Sequence, residues 1–187
     1  PALGLWAKED RHQMSDNIQL VRSFADLLDL LKRDGVPHEV NVETSEVVIP
    51  TQRGPLDSVL LIRWQADAGV VQMIQPLTFE VPAERLPAME SALCRLNPAL
   101  VVAGFEIAYE RRRVGFRTTL PLQPRGGLLP DEIQTCFRIT VKTAADFLPT
   151  LSRIASGIGK PQNVLADAQS DLSGGNRGGG PGALGTY

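Results

Sequence analysis

The chain contains 187 residues, which is enough for one well-buried core and too few for two ordinary domains. Its 21 acidic and 19 basic residues give a formal net charge of −2, so no positive surplus attracts it to nucleic acid or anionic lipid. With only two histidines and two cysteines, a multi-histidine metal centre and a disulfide framework are both disfavoured.

The first fourteen residues, 1–14, are predicted to be an N-terminal extension. They lack the basic start and long apolar centre of a signal peptide. No apolar run in the chain reaches the roughly 20 residues of a membrane-spanning helix. We therefore expect a cytoplasmic protein without a membrane partner, and we leave open whether a leader preceded Pro1.

The first helix is marked by apolar residues at helical spacing. The stripe consists of Leu20, Phe24, Leu27, Leu28 and Leu31, widened by Ile18 and Val21. Ser15 is a suitable N-cap, and Gly35 suits the position just beyond a helix end. The pattern therefore predicts a helix from Asp16 to Asp34.

A two-residue period replaces the helical one between Pro37 and Val81, which indicates strands. The predicted strands are His38–Val42, Glu46–Thr51, Ser58–Gln65 and Val70–Val81, the last two joined by the turn Ala66–Gly69. Their alternation predicts one apolar face and one mostly wet face. The apolar face holds Leu60, Ile62, Trp64, Val71, Met73, Leu77, Phe79 and Val81, and the wet face holds Arg63, Gln65, Gln72, Thr78 and Glu80.

Two helices and a second hairpin complete the predicted domain. One helix begins near Pro82 and stops at Asn97, because the residue before a proline avoids the helical conformation. A hairpin with an arginine-rich tip follows, and a last helix begins at Pro130. Pro149 lies inside that helix and lacks a backbone donor, so we expect a kink or break near Phe147.

The composition changes near Gly157, because residues 157–187 hold 9 of the 17 glycines. Such a segment buries too little apolar surface to offset the conformational entropy lost on folding. We therefore divide the chain into the extension 1–14, a folded domain over 15–157 and a Gly-rich flexible tail over 158–187.

The predicted element order is α-β-β-β-β-α-β-β-α. Consecutive strands joined by short turns indicate an antiparallel sheet, and an amphipathic helix needs a surface to cover. The sequence therefore predicts the α+β class, with helices covering an antiparallel sheet.

Several segments in this order resemble the YbjN family. They are Leu77–Pro82, Leu93–Asn97, Gly104–Glu106, Val114–Leu122 and Phe147–Leu151, followed by Ile154 and Gly157. Family members are described as bacterial regulators of sensory transduction, and their domain is similar in fold to type III secretion chaperones. Those chaperones are small α+β homodimers that bind segments of partner proteins. The resemblance implies this fold, a homodimer and a protein partner, and it supplies no catalytic residue.

The residues themselves also favour a protein without catalysis. Cys94 and Cys136 fall on predicted helices, and neither His12 nor His38 lies near them in sequence. A thiol nucleophile needs a base or a helix N-terminus to lower its pKa. Motifs for a serine hydrolase, a zinc protease or a phosphate loop are absent. We therefore expect no enzyme activity, no cofactor and no metal.

The strongest polar feature is an arginine cluster at the second hairpin. Its members are Arg111, Arg112, Arg113, Arg117 and Arg125. They could form a docking patch for an acidic peptide or nucleic acid. Charge at an exposed turn also prevents edge-to-edge aggregation of sheets, and this structural interpretation is favoured. Glu106 and Glu110 neutralise part of the cluster, which argues against nucleic acid.

Two functional hypotheses remain. In the first, the domain is a dimeric, chaperone-like adaptor that binds a segment of another protein. In the second, it is a regulatory module that binds a small ligand or nucleic acid through the arginine hairpin. The identity of the partner and the signal is not encoded in any motif of the chain.

Overall fold

The protein is described here from a computed structural model that covers residues 20–100 and 104–174. The helices are α1 (Phe24–Arg33), α2 (Leu86–Leu96), α3 (Pro130–Ala155) and α4 (Val164–Gly174). The strands are β1 (Glu39–Asn41), β2 (Glu46–Arg53), β3 (Leu56–Gln65), β4 (Val70–Glu80), β5 (Gly104–Ala108) and β6 (Arg113–Pro121). All six strands form one antiparallel sheet in the order β1-β2-β3-β4-β6-β5. The predicted α+β class is therefore confirmed.

The core lies between the sheet and the helices, on the face that alternation predicted to be apolar. Leu60 and Ile62 of β3 and Met73 of β4 are fully buried there. Leu27 and Leu31 of α1 and Phe137 of α3 are packed into the same cluster. The other face of the sheet carries no residue of this cluster.

Helix α1 starts later than its apolar stripe predicted. Ser23 is the N-cap: its hydroxyl accepts the Asp26 N–H at 3.1 Å, and the Asp26 carboxylate accepts the Ser23 N–H at 3.0 Å. Val21 is not helical, because it pairs with Leu128 as an antiparallel bridge. The predicted start at Asp16 is thus wrong for residues 20–23, and the predicted cap Ser15 lies outside the described residues.

The far end of α1 matches the prediction. Gly35 has a φ of 65° and follows the last turn. This left-handed conformation lets the Val36 N–H reach the Leu31 carbonyl at 2.9 Å, which satisfies a carbonyl that the helix leaves free.

Helix α3 runs through Pro149 without interruption, so of the kink or break predicted near Phe147 the break does not occur. Leu148 and Leu151 on either side of the proline are buried in the core. Packing of this face against the sheet and α2 outweighs the loss of one backbone hydrogen bond.

The predicted flexible tail over 158–187 is wrong for residues 161–174. A 3₁₀ turn at Pro161–Asn163 leads into α4, which packs against α2 and α3. Val164 and Ala168 are 1% and 2% exposed. Asp171 accepts hydrogen bonds from Arg153 at 2.8 Å and from the Thr150 hydroxyl at 2.5 Å. These contacts offset the conformational entropy that residues 161–174 lose on folding. The glycine content of residues 157–187 had predicted that this entropy would keep the whole segment flexible.

Candidate partner-binding surfaces

The arginine hairpin is exposed and only partly neutralised. Arg111 ends a short 3₁₀ turn, Arg112 is left-handed with a φ of 48°, and Arg113 opens β6. The Arg112 guanidinium forms an ion pair with Glu80. Within residues 20–100 and 104–174, Arg111 and Arg113 make no ion pair.

The other two predicted arginines do not join this group. Arg117 lies further along β6 and contacts Glu106 at 2.7 Å. Arg125 lies beyond the end of β6 and pairs with Glu132 at the start of α3. Pro121 lies eight residue steps along β6 from Arg113, a distance of about 26 Å. The structure therefore brings Arg111, Arg112 and Arg113 together and keeps Arg125 apart.

Neither cysteine is arranged as a nucleophile. The Cys136 thiol is 6% exposed and donates to the Thr118 hydroxyl at 3.0 Å. Burial raises the pKa of the Cys136 thiol, so its thiolate is suppressed at neutral pH. Cys94 is exposed on α2. Among the residues that the structure describes, no group of three or more metal-ligand side chains occurs.

An apolar groove of about 340 Å³ lies between β6 and the first turns of α3. Its walls are formed by Thr118, Leu120, Thr135, Cys136 and Ile139, and its rim by Asp131 and Glu132. The Leu129 N–H and then the Arg125 guanidinium bind the Glu132 carboxylate and lower its pKa. Asp131 is exposed and makes no ion pair with a described residue. The lining is thus mostly apolar, and of its two acidic residues Asp131 makes no ion pair with a described residue.

The groove lies beside a part of β6 that β5 does not reach. β5 pairs with β6 only from Ala108↔Arg113 to Gly104↔Arg117. Between Thr118 and Pro121, β6 pairs with β4 on one side, and no described strand pairs with the other. Side chains in this part of β6 alternate between the groove and the opposite face.

The sheet face that no described helix covers, here called the helix-free face, carries a second apolar surface, which we call the apolar band. It consists of Val48, Pro50, Val59, Leu61, Ile74 and Pro76 on the three neighbouring strands β2, β3 and β4. Two cross-strand rows build it: Val48 opposes Leu61, which opposes Ile74, and Pro50 opposes Val59 in the next row. None of the six belongs to the core cluster. The prediction that this face is mostly wet was therefore wrong at its centre.

Polar residues bound the apolar band on both sides. One flanking row contains Glu46, Arg63 and Gln72, with Arg63 contacting Glu46 at 2.5 Å. The other contains Gln52 and Asp57. Asp57 is exposed and makes no ion pair with a described residue.

Neither apolar surface was predicted from the sequence, because each surface depends on which elements lie side by side in the fold. The one signal in the chain is that Val48, Leu61 and Ile74 occupy positions that alternation assigns to the wet face. Only the strand register shows that they touch.

Comparison with known proteins gives a family. The family model YbjN, described as "Putative bacterial sensory transduction regulator", matches residues 23–153. No curated protein matches the chain at a significant level. Within the part of the chain that the structure describes, no helix combines the length and apolar character needed to cross a bilayer.

Proposed function

The chain belongs to the YbjN family of regulators, and from this premise we propose that it is a non-catalytic adaptor that binds an extended segment of a partner protein. The observation that carries the proposal is the apolar groove beside residues 118–121 of β6, which no described strand pairs on the β5 side. Strand addition needs free backbone groups and a pocket for alternate side chains. Among the described residues, this part of β6 and the groove offer both.

Strand alternation indicates which residue of β6 would receive the segment. Phe105 of β5 directs its N–H and C=O away from β6, because both bind the side chain of Asn97. Hydrogen bonding alternates along a strand, so β6 turns its odd-numbered residues toward the β5 side. The N–H and C=O of Thr119 thus face the side where the segment would lie.

The chemistry of the groove defines the segment. An apolar side chain would fill the space between Leu120 and Ile139. A neighbouring lysine or arginine would meet Asp131 at the rim, where it finds an exposed carboxylate. The preferred segment therefore places an apolar residue next to a basic one.

We expect the adaptor to act as a homodimer, in keeping with the resemblance to type III secretion chaperones. The apolar surface of α2 is not free for this purpose, because the turn at Pro161–Asn163 and α4 pack against it. We therefore propose that dimerisation uses another surface.

A random peptide library displayed on phage tests the groove. The immobilised full chain should enrich peptides that place an apolar residue beside lysine or arginine. Ile139→Lys fills the groove with a charge and should abolish their binding, whereas Ile158→Lys, at a residue 77% exposed and outside the groove, should leave it intact. An enriched peptide should also slow amide hydrogen exchange at Thr119.

Two results would contradict the proposal that the groove binds a peptide segment. Either the library yields no enriched peptide, or the enriched peptides bind Ile139→Lys as well as they bind the unmodified chain.

A second candidate function is a regulatory module that binds an anionic ligand through the arginine hairpin. Arg111 and Arg113 favour it, because neither forms an ion pair with a described residue. A metabolite or oligonucleotide that raises the melting temperature of the chain, but not of the double variant Arg111→Ala and Arg113→Ala, would support this candidate.

A further inference from the structure

We propose that two copies of this chain pack against each other through the helix-free face of the sheet, with their apolar bands in contact. The inference deepens the proposed adaptor and rests on its being a homodimer. No described helix packs on this face of the sheet, whereas α4 packs against α2.

The apolar band has the composition of an interface centre. One of its two rows crosses three strands and ends at Ile74, and the other joins Pro50 and Val59. In the second row the Gln75 amide nitrogen lies between β3 and β4 and donates to the Val59 carbonyl at 3.0 Å. Val59 is 36% exposed and Ile74 is 8% exposed, and Pro50 is also exposed. An apolar centre bounded by polar residues is the usual arrangement of a protein interface.

The size of the face fits a stable dimer. The six strands contain 46 residues. At a strand spacing of about 4.8 Å and a rise of about 3.3 Å, they give a face of roughly 730 Å². A standard specific interface buries about 800 Å² on each partner. A contact that used the whole face would therefore approach this size.

The order of residues along the strands is self-complementary. We place a two-fold axis across the strands, between the row of Leu61 and the row of Val59. The axis then sets Leu61 against Val59 of the second copy, and Val48 against its Pro50. On β2 and β3, apolar residues thus face apolar residues.

The same axis pairs opposite charges at the border of the band. Arg63 of one copy faces Asp57 of the other, and the symmetry gives two such pairs in the dimer. Asp57 has no ionic partner among the described residues of its own copy. The Arg63 side chain is 44% exposed even while it contacts Glu46, so it can reach a second carboxylate. This charge pattern favours a second copy over an unrelated protein.

A charge-swap experiment tests the arrangement. Asp57→Arg would place two arginines opposite each other, and Arg63→Asp two aspartates, so each variant alone should dimerise at least tenfold more weakly than the unmodified chain. In an equimolar mixture every facing pair is again opposite in sign, and a heterodimer should form. Sedimentation equilibrium over a wide concentration range measures all three samples.

Matched variants separate interface effects from folding effects. Asp29→Arg reverses an exposed charge on α1, outside both the sheet face and the groove, and should leave dimerisation unchanged. Leu61→Lys places a charge in the band and should give a folded monomer, judged by a cooperative melt. This second variant decides the outcome if Arg63→Asp fails to fold, because it does not disturb the pair with Glu46.

Three results would overturn the inference: an unmodified chain that is monomeric at every concentration, single variants that dimerise normally, or a mixture that forms no heterodimer. Peptide binding by the groove is measured separately. A chain that dimerises through this face but enriches no peptide would contradict only the adaptor proposal. A chain that enriches peptides but does not dimerise through this face would contradict only the dimer proposal.

Discussion

The Asn97 side chain pairs with the backbone of β5, a strand at the edge of the sheet. Its amide nitrogen donates to the Phe105 carbonyl at 3.0 Å, and its amide oxygen accepts the Phe105 N–H at 2.8 Å. Unpaired edge strands invite aggregation, and here one side chain occupies the groups that another chain would use. A Cβ at Gly104 would come within 3.3 Å of that side chain, so glycine permits the close approach. This contact joins Leu93–Asn97 and Gly104–Glu106, two of the segments that resemble the YbjN family.

Asn97→Ala should lower the free energy of unfolding by about 1 to 3 kcal/mol, because it leaves a donor and an acceptor of Phe105 unpaired. Urea denaturation measures the loss. Asn163→Ala is the control, since Asn163 is exposed and makes no side-chain hydrogen bond with a described residue. Equal stability of the two variants would show that the side chain does not close the edge.

The two cysteines should differ sharply in reactivity with a thiol reagent. Cys94 is exposed, whereas Cys136 is buried and donates a hydrogen bond to Thr118. Burial also raises the pKa of the Cys136 thiol. We expect one rapidly modified thiol in the native chain and two in denaturant. Cys94→Ser should remove the rapid reaction. Rapid modification of Cys136 in the native state would mean that the first turns of α3 open readily.

Among the elements, the strands were the most predictable and the helix boundaries the least. Strand alternation is a local property, so β3 and β4 were located to within two residues. The start of α1 was not, because Val21 is held by Leu128, a residue more than a hundred positions away. Helix α4 was missed because glycines further along the chain dominated the average composition of its segment.

The candidate surfaces were less predictable than the elements that form them. The five arginines were grouped by proximity in sequence, yet the length of β6 separates Arg125 from Arg113. The groove and the apolar band each combine residues from distant segments. One sequence shows which face a residue occupies, and it does not show which residues of other strands lie beside it.

The docking of α4 should depend on pH through Asp171. Hydrogen bonds from Arg153, followed by that from Thr150, hold the pKa of the Asp171 carboxyl below its ordinary value of 3.8. A lowered folded pKa contributes stability above the unfolded pKa, and that contribution is lost as the pH falls through the folded value. Asp171→Asn should therefore destabilise the chain at neutral pH, by an amount that shrinks below pH 3.8.

Urea denaturation across this pH range measures the difference between Asp171→Asn and the unmodified chain. Asp67→Asn, in the exposed turn between β3 and β4, should show no such pH-dependent difference. A stability difference that stayed constant down to the lowest pH would contradict the role of the Asp171 carboxylate.

At the scale of the whole molecule, a dimer formed through the sheet face links stability to concentration. Two copies that bind each other only when folded favour the folded state by mass action. The urea midpoint of the unmodified chain should therefore rise with protein concentration. The midpoint of Leu61→Lys should not change. A constant midpoint for both would contradict a folded dimer in that concentration range.

The bridge between Val21 and Leu128 has a consequence for the order of folding. Its two backbone hydrogen bonds, 2.8 and 2.9 Å long, join positions 107 residues apart. The β2–β3 and β3–β4 hairpins instead close over two and four residues. Closing a long loop costs more chain entropy than closing a short one. The bridge is therefore expected to form after both hairpins during folding.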